Sequence, residues 1–170
     1  VVSLAFPIQN LMVSFAVGTS VGVNALLSLK LGQQNQNDVN KTAMNGIFLA
    51  VITWIVFAVL GSFSASVYLK SQTENKVIIA LAEDYLNIIL LMGFGLFFGA
   101  MMERLLQATG RTFLSMISQL FGAIFNIIFD PILIFGLGPF PAMGIKGAAL
   151  ATVLGQIFGS FVSLGLNLKK

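Results

Sequence analysis

Few residues of this chain could do chemistry, and the clearest is a lone acid. In FNIIFDPILIFG (125–136), Asp130 is the only charged residue between Arg111 and Lys146. An acid in such apolar surroundings is costly, and one retained there marks an ion or proton path by default. Gln119, Gly122 and Asn126 precede it at steps of three and four. On a helix these four residues form one polar stripe, with Phe, Ile and Leu on the remaining faces. Pro131 adds an oxygen: it lacks an N–H and clashes with the carbonyl four residues back, freeing that of Ile127. Hard cations take such oxygen ligands, whereas a proton needs only the carboxylate. Reversible uptake of a proton or of Na+ is the chemistry expected. The competing reading makes Asp130 a kink residue, protonated and bonded to a neighbour's backbone.

Depth can be counted from helix ends at about 1.5 Å per residue. On that count Thr152, Gln156, Asn87, Ser62 and Asn10 fall near the level of Asn126 and Asp130. Thr152 is a further candidate ligand; the other four are candidate cavity-lining groups or interhelical hydrogen-bonding groups. Glu103, the second acid, continues a face made by Asn87, Leu91, Gly95, Gly99 and Gln107. It lies about 20 Å from the level of Asp130 by the same rise, so the two acids are not a direct pair. Glu103 and Gln107 either line an inner cavity or, for the acid, help fix the connection near Arg104 and Arg111.

The elements that position these groups follow from composition. The chain has 170 residues, 57% of them hydrophobic and 9% charged. That leaves too little polar surface for a soluble domain, but suits a chain solvated by lipid. Residues 1–29, 42–69, 85–102 and 147–168 carry no charge, and 112–145 carry only Asp130. About 20 apolar residues cross the hydrocarbon layer. Five spanning helices are therefore expected, over about 1–29, 42–69, 77–108, 112–137 and 145–168. No alternating short segments suggest a β-barrel. With no cysteine and no histidine, disulfides, thiolate metal sites and histidine bases are excluded. The net charge of +3 comes from basic residues scattered at helix ends, which is no nucleic-acid signal.

Antiparallel neighbours put Lys30, Lys41, Arg104, Arg111, Lys169 and Lys170 on one side, and Lys70, Lys76 and Lys146 on the other. The richer side should be cytoplasmic. Tyr68 and Tyr85 then fall at the outer interface. LGQQNQNDVNK (31–41) reads as an exposed loop, and GLGPFPAMG (136–144) as an outer turn. Small residues every four positions, Gly147, Ala151, Gly155, Gly159 and Ser163, predict a close-packing seam. Gly18 with Gly22, and Gly95 with Gly99, predict others. The chain opens on Val1 inside an apolar run, which reads as a piece of a longer polypeptide.

Several blocks resemble the MATE family of multidrug and toxic-compound extrusion transporters, in its bacterial multidrug-efflux form. These are PIQNLMVSFAVGTSVGVNALLSLKLG (7–32), ERLLQATGRT (103–112) and NIIFDPILIFGLGPFPAMGIKGAALAT (126–152) with the VLGQ that follows. The resemblance covers essentially the whole chain, and the last block is its most specific part. It implies an all-α integral membrane bundle, with these five helices as the second to sixth of twelve, in part of the N-terminal lobe. It implies a multi-pass protein of the bacterial plasma membrane, driven by Na+ or H+ and without other cofactors. Asn126, Asp130 and Thr152 match positions of a cation site found in some members. The acid those members carry on their first helix has no counterpart in this chain. The partners implied are that first helix, the C-terminal lobe, small organic cations and the bilayer.

Efflux of organic, cationic compounds by cation antiport is the leading function. A lipid-linked oligosaccharide flippase of the same superfamily would want basic residues at mid-membrane, where none falls. A non-transporting structural subunit is the third reading. An enzyme is not expected: a serine protease lacks its histidine, and an aspartyl protease lacks a second acid facing Asp130.

Overall fold

The charge-free stretches become helices in a computed structural model that describes residues 1–169. Lys170, counted above with the cations of one side, lies outside the described residues. In chain order the elements are α1 (Val2–Gly32), α2 (Gln36–Gln72), α3 (Lys76–Leu91), α4 (Phe94–Ala108), α5 (Thr112–Phe135) and α6 (Ile145–Leu168). Among the described residues every regular element is a helix. Four are long and apolar enough to cross a membrane; α3 and α4, bent by 41° at their break, pass the same test only when taken together.

Three expectations need correction. The stretch 77–108 is not one helix, because it breaks at Met92–Gly93. A side chain on Gly93 would stand 2.7 Å from the Ile89 carbonyl oxygen and 2.9 Å from Met12 Cε of α1. Only glycine lets the chain bend there while pressed against a neighbour. The polar stretch after α1 is mostly helical, and the connection shrinks to Gln33–Asn35. Its polarity serves the helix ends: Asn35 Oδ1 accepts from the Asp38 backbone N–H at 3.2 Å, and Lys30 pairs with Asp38 at 3.5 Å. Tyr85 is in the core, 4% exposed, with its hydroxyl accepting from Gln9 Nε2 of α1 at 3.2 Å.

The ends of the bundle sort as the charges suggest. Arg111 Nη2 donates to the Lys169 carbonyl at 2.6 Å, tying the α4–α5 connection to the end of α6. At the opposite end Lys146 pairs with Asp84 at 3.1 Å. The α5 helix stops at Gly136, whose left-handed φ of 70° no β-branched residue would adopt comfortably.

Packing is built on backbone contact. Gly147, Ala151, Gly155, Gly159 and Ser163 of α6 are all buried. A side chain on Gly155 would meet the Gly122 carbonyl oxygen at 3.0 Å, and one on Gly122 would meet that of Gly155 at 3.1 Å. On its other flank α6 takes α4, with Gly99 facing Ser160 at 3.2 Å by the same measure. Between lipid-like surroundings on both sides of a pair, such proximity supplies the dispersion contacts that hold helices together. The glycines at 18 and 22 differ: nothing lies within 4 Å of the Cβ position of either. Large apolar side chains, Phe63 at 80% exposed among them, cover the outside of the bundle.

Candidate functional site

Because small residues bring α4, α5 and α6 together at their backbones, the polar side chains beside the seams are left facing a common space. It is a cavity of about 550 Å³. Gly95, Gly99 and Glu103 line it from α4; Gln119, Gly122 and Asn126 from α5; Thr152, Gly155 and Gln156 from α6. The polar stripe of α5 therefore turns to a cavity, with Asp130 one turn beyond its lining.

At that end Asn126 bridges two helices. Oriented to satisfy both neighbours, its amide nitrogen donates to Asp130 Oδ2 at 3.3 Å and its oxygen accepts from the Thr152 backbone N–H at 3.2 Å. Thr152 Oγ1 donates to the Ala148 carbonyl at 2.9 Å within its own helix, which leaves the hydroxyl lone pairs free. Asp130 Oδ1 is buried and, among the described residues, has no hydrogen-bond partner. A buried, unsatisfied carboxylate oxygen is rare and asks for a ligand. Turned the other way, the amide would set its oxygen against Oδ2 and its N–H against that of Thr152, so only one orientation makes both bonds. The three groups thus have the donor set for a proton or for a hard cation that prefers oxygen.

At the other end of the cavity, Glu103 Oε2 accepts from Gln119 Nε2 at 2.8 Å. The two nearby arginines turn elsewhere. Arg104 Nη1 donates to Gln107 Oε1 at 2.7 Å, and Arg111 to Lys169. Gln107 Nε2 in turn donates to Ser115 Oγ at 3.1 Å. Its place is therefore in the contact between α4 and α5, not in the cavity lining.

Asn10, Ser62 and Asn87 also lie off the cavity. Asn10 and Asn87 are on exposed faces, and Ser62 Oγ donates back to the Ala58 carbonyl of its own helix at 2.5 Å. Depth along a helix gives no direction around it, and these three are turned away. Of the six candidate lining groups, the structure brings Glu103 and Gln156 to the cavity.

Two polar contacts carry no sequence signal of their own strength. Ser163 Oγ donates to Ser118 Oγ at 2.8 Å, both fully buried between α5 and α6. Asn167 Nδ2 donates to the Met102 carbonyl at 2.9 Å, joining α6 to α4. Ser115, Ser118 and Gly122, at steps of three and four, are the pattern that points to a seam there.

Comparison with known proteins follows the same lines. The MatE family model matches residues 1–132. A curated protein from Shewanella oneidensis named "FAD transporter" is 30% identical, over 98% of this chain and 36% of its own length. "Probable multidrug resistance protein NorM" from Thermotoga maritima is also 30% identical, over 85% of this chain and 31% of its own. The chain therefore spans about a third of the length of these relatives. Among solved structures, one described as the inward-facing conformation of a multidrug resistance MATE family transporter has a TM-score of 0.91 at 23% identity. It covers 98% of this chain and 37% of that one, and it bears on the fold alone.

Proposed function

The chain belongs to the MatE family, and we propose that it forms part of the N-terminal lobe of a bacterial plasma-membrane antiporter. That antiporter exports organic cations in exchange for Na+ or H+. The observation that carries this reading is the unpartnered Oδ1 of Asp130, beside an amide that links the acid to Thr152. The remaining parts of the transporter would come from a first helix and a C-terminal lobe of the same longer polypeptide.

Asn126 gives the site two settings. With the carboxylate charged and free, the amide nitrogen donates to it. With a proton or Na+ on the carboxylate, rotation would present the amide oxygen instead and give up the bond from the Thr152 N–H. Coupling requires that the ion and the organic cation favour different conformations of the bundle. A bridge from α5 to α6 is suited to that, because whatever binds the acid alters a contact between two helices.

The Shewanella relative's name raises a second substrate class, a flavin dinucleotide. Its phosphates, like those of a lipid-linked sugar, call for Lys or Arg. None lines the cavity among the described residues, whereas Glu103 does. This favours a positively charged substrate.

Ethidium efflux by the full-length polypeptide, with sodium and pH varied separately, tests the reading. Asp130→Asn is expected to abolish the stimulation by the coupling ion. Efflux that responds to neither ion in the wild type, or unaltered stimulation in the variant, would sink it.

A further inference from the structure

We infer that Glu103 and Gln119 form a second cation subsite, at the far end of the cavity from Asp130. Its ligand is the positively charged group of an organic cation, not the coupling ion. This rests on the antiport reading for the identity of the cargo, but on separate residues and separate geometry.

Glu103 reaches across to α5 through Gln119, as a structural tie does, but it is paired with neither Arg104 nor Arg111. Both guanidinium groups instead bind other partners, Gln107 and the Lys169 carbonyl. Among the described residues Glu103 makes no ion pair; one neutral amide holds Oε2 at 2.8 Å. That bond fixes the carboxylate against the cavity wall without neutralising it. The wall beside it is Gly99, Ala100 and Ser118, small residues that leave room for a ligand's body. A cavity of about 550 Å³ is in the range that holds drug-sized molecules.

The donor set also selects the kind of cation. Gln119 turns its N–H, not its oxygen, toward the acid, so a dehydrated metal ion would find a single carboxylate and little else. Hard metal ions need six or more oxygens, or water, to replace their shells. An ammonium, phosphonium or amidinium carries a diffuse charge that one carboxylate and an apolar wall satisfy. From Gln119 to Asp130 is eleven residues of α5, about 16 Å along the axis, so the two acids do not compete for one ligand.

Tetraphenylphosphonium binding to the purified full-length polypeptide is the test, measured by equilibrium dialysis with and without sodium and at two pH values. Glu103→Gln is expected to weaken binding about tenfold or more, as loss of a charge-assisted contact does, while sodium or pH still shifts the affinity. Glu103→Asp is expected to retain most of the binding. In the wild type, carbodiimide modification at Glu103, read by peptide mass spectrometry, is expected to slow with tetraphenylphosphonium and not with tetraphenylborate. No binding by the wild type, equal binding by Glu103→Gln, or no protection of Glu103 would overturn the inference. Retention of the ion response in Asp130→Asn would instead sink the antiport reading and leave the Glu103 result standing.

Discussion

Asn126 and Asp130 lie one helical turn apart on α5, joined by a 3.3 Å hydrogen bond from amide nitrogen to Oδ2, and the same amide reaches Thr152 of α6 at 3.2 Å. One side chain therefore serves both the acid and the neighbouring helix. Hydrogen bonds to charged groups contribute about 1.5–3 kcal/mol. In a double-mutant cycle of Asn126→Ala and Asp130→Ala on the full-length polypeptide, unfolding in detergent should show an interaction energy of about that size. Additive effects would mean that the two side chains do not act together.

Backbone contact between α5 and α6 sets a steric limit. Gly155→Val places carbon atoms where the Gly122 carbonyl oxygen stands, 3.0 Å from the Cβ position. Overpacking of this kind costs about 1–3 kcal/mol, and the midpoint of thermal unfolding should fall accordingly. Gly165→Ala, with nothing within 4 Å, should leave the midpoint unchanged or raise it slightly.

Much of this was legible in the sequence, for reasons that can be named. Spanning helices follow from charge-free length, and the stripe from Gln119 to Asp130 follows from helical period. The α6 ladder follows from small residues at four-residue steps, and all five of its members are buried. The break at Gly93 was hidden because glycine at a bend and glycine at a seam look alike in a string, and LMGFG contains both. Asn10, Ser62 and Asn87 were drawn to the cavity by depth, although facing is decided by partners elsewhere in the bundle. Membrane length bounds only the apolar part of a helix, so α1 and α2 run about three residues past their expected ends and α2 starts at Gln36 instead of 42, in polar sequence. The fates of Arg104 and Arg111, which leave Glu103 unpaired, depend on contacts with Gln107 and Lys169 that no local pattern announces.

The bend itself gives a third expectation. A side chain at Gly93 collides with the Ile89 carbonyl oxygen and with Met12 Cε. Gly93→Val should therefore shift the distance between spin labels placed on α3 and α4, as the span straightens or slides off α1. An unchanged distance distribution would show that the bend does not depend on glycine.

The Lys146–Asp84 pair should matter little. Both side chains are about half exposed, at 54% and 45%. Surface pairs of this kind contribute about 0–1 kcal/mol, so Lys146→Ala should alter the unfolding midpoint only marginally, with that small effect further reduced by salt.

On this mechanism Asp130 gives up a proton or sodium ion when an organic cation is taken on. Ion release on addition of ethidium to the full-length polypeptide reads this directly, by pH indicator in weak buffer or by radioactive sodium. Release is expected from the wild type and none from Asp130→Asn at matched ethidium binding. Equal release from both proteins would contradict it.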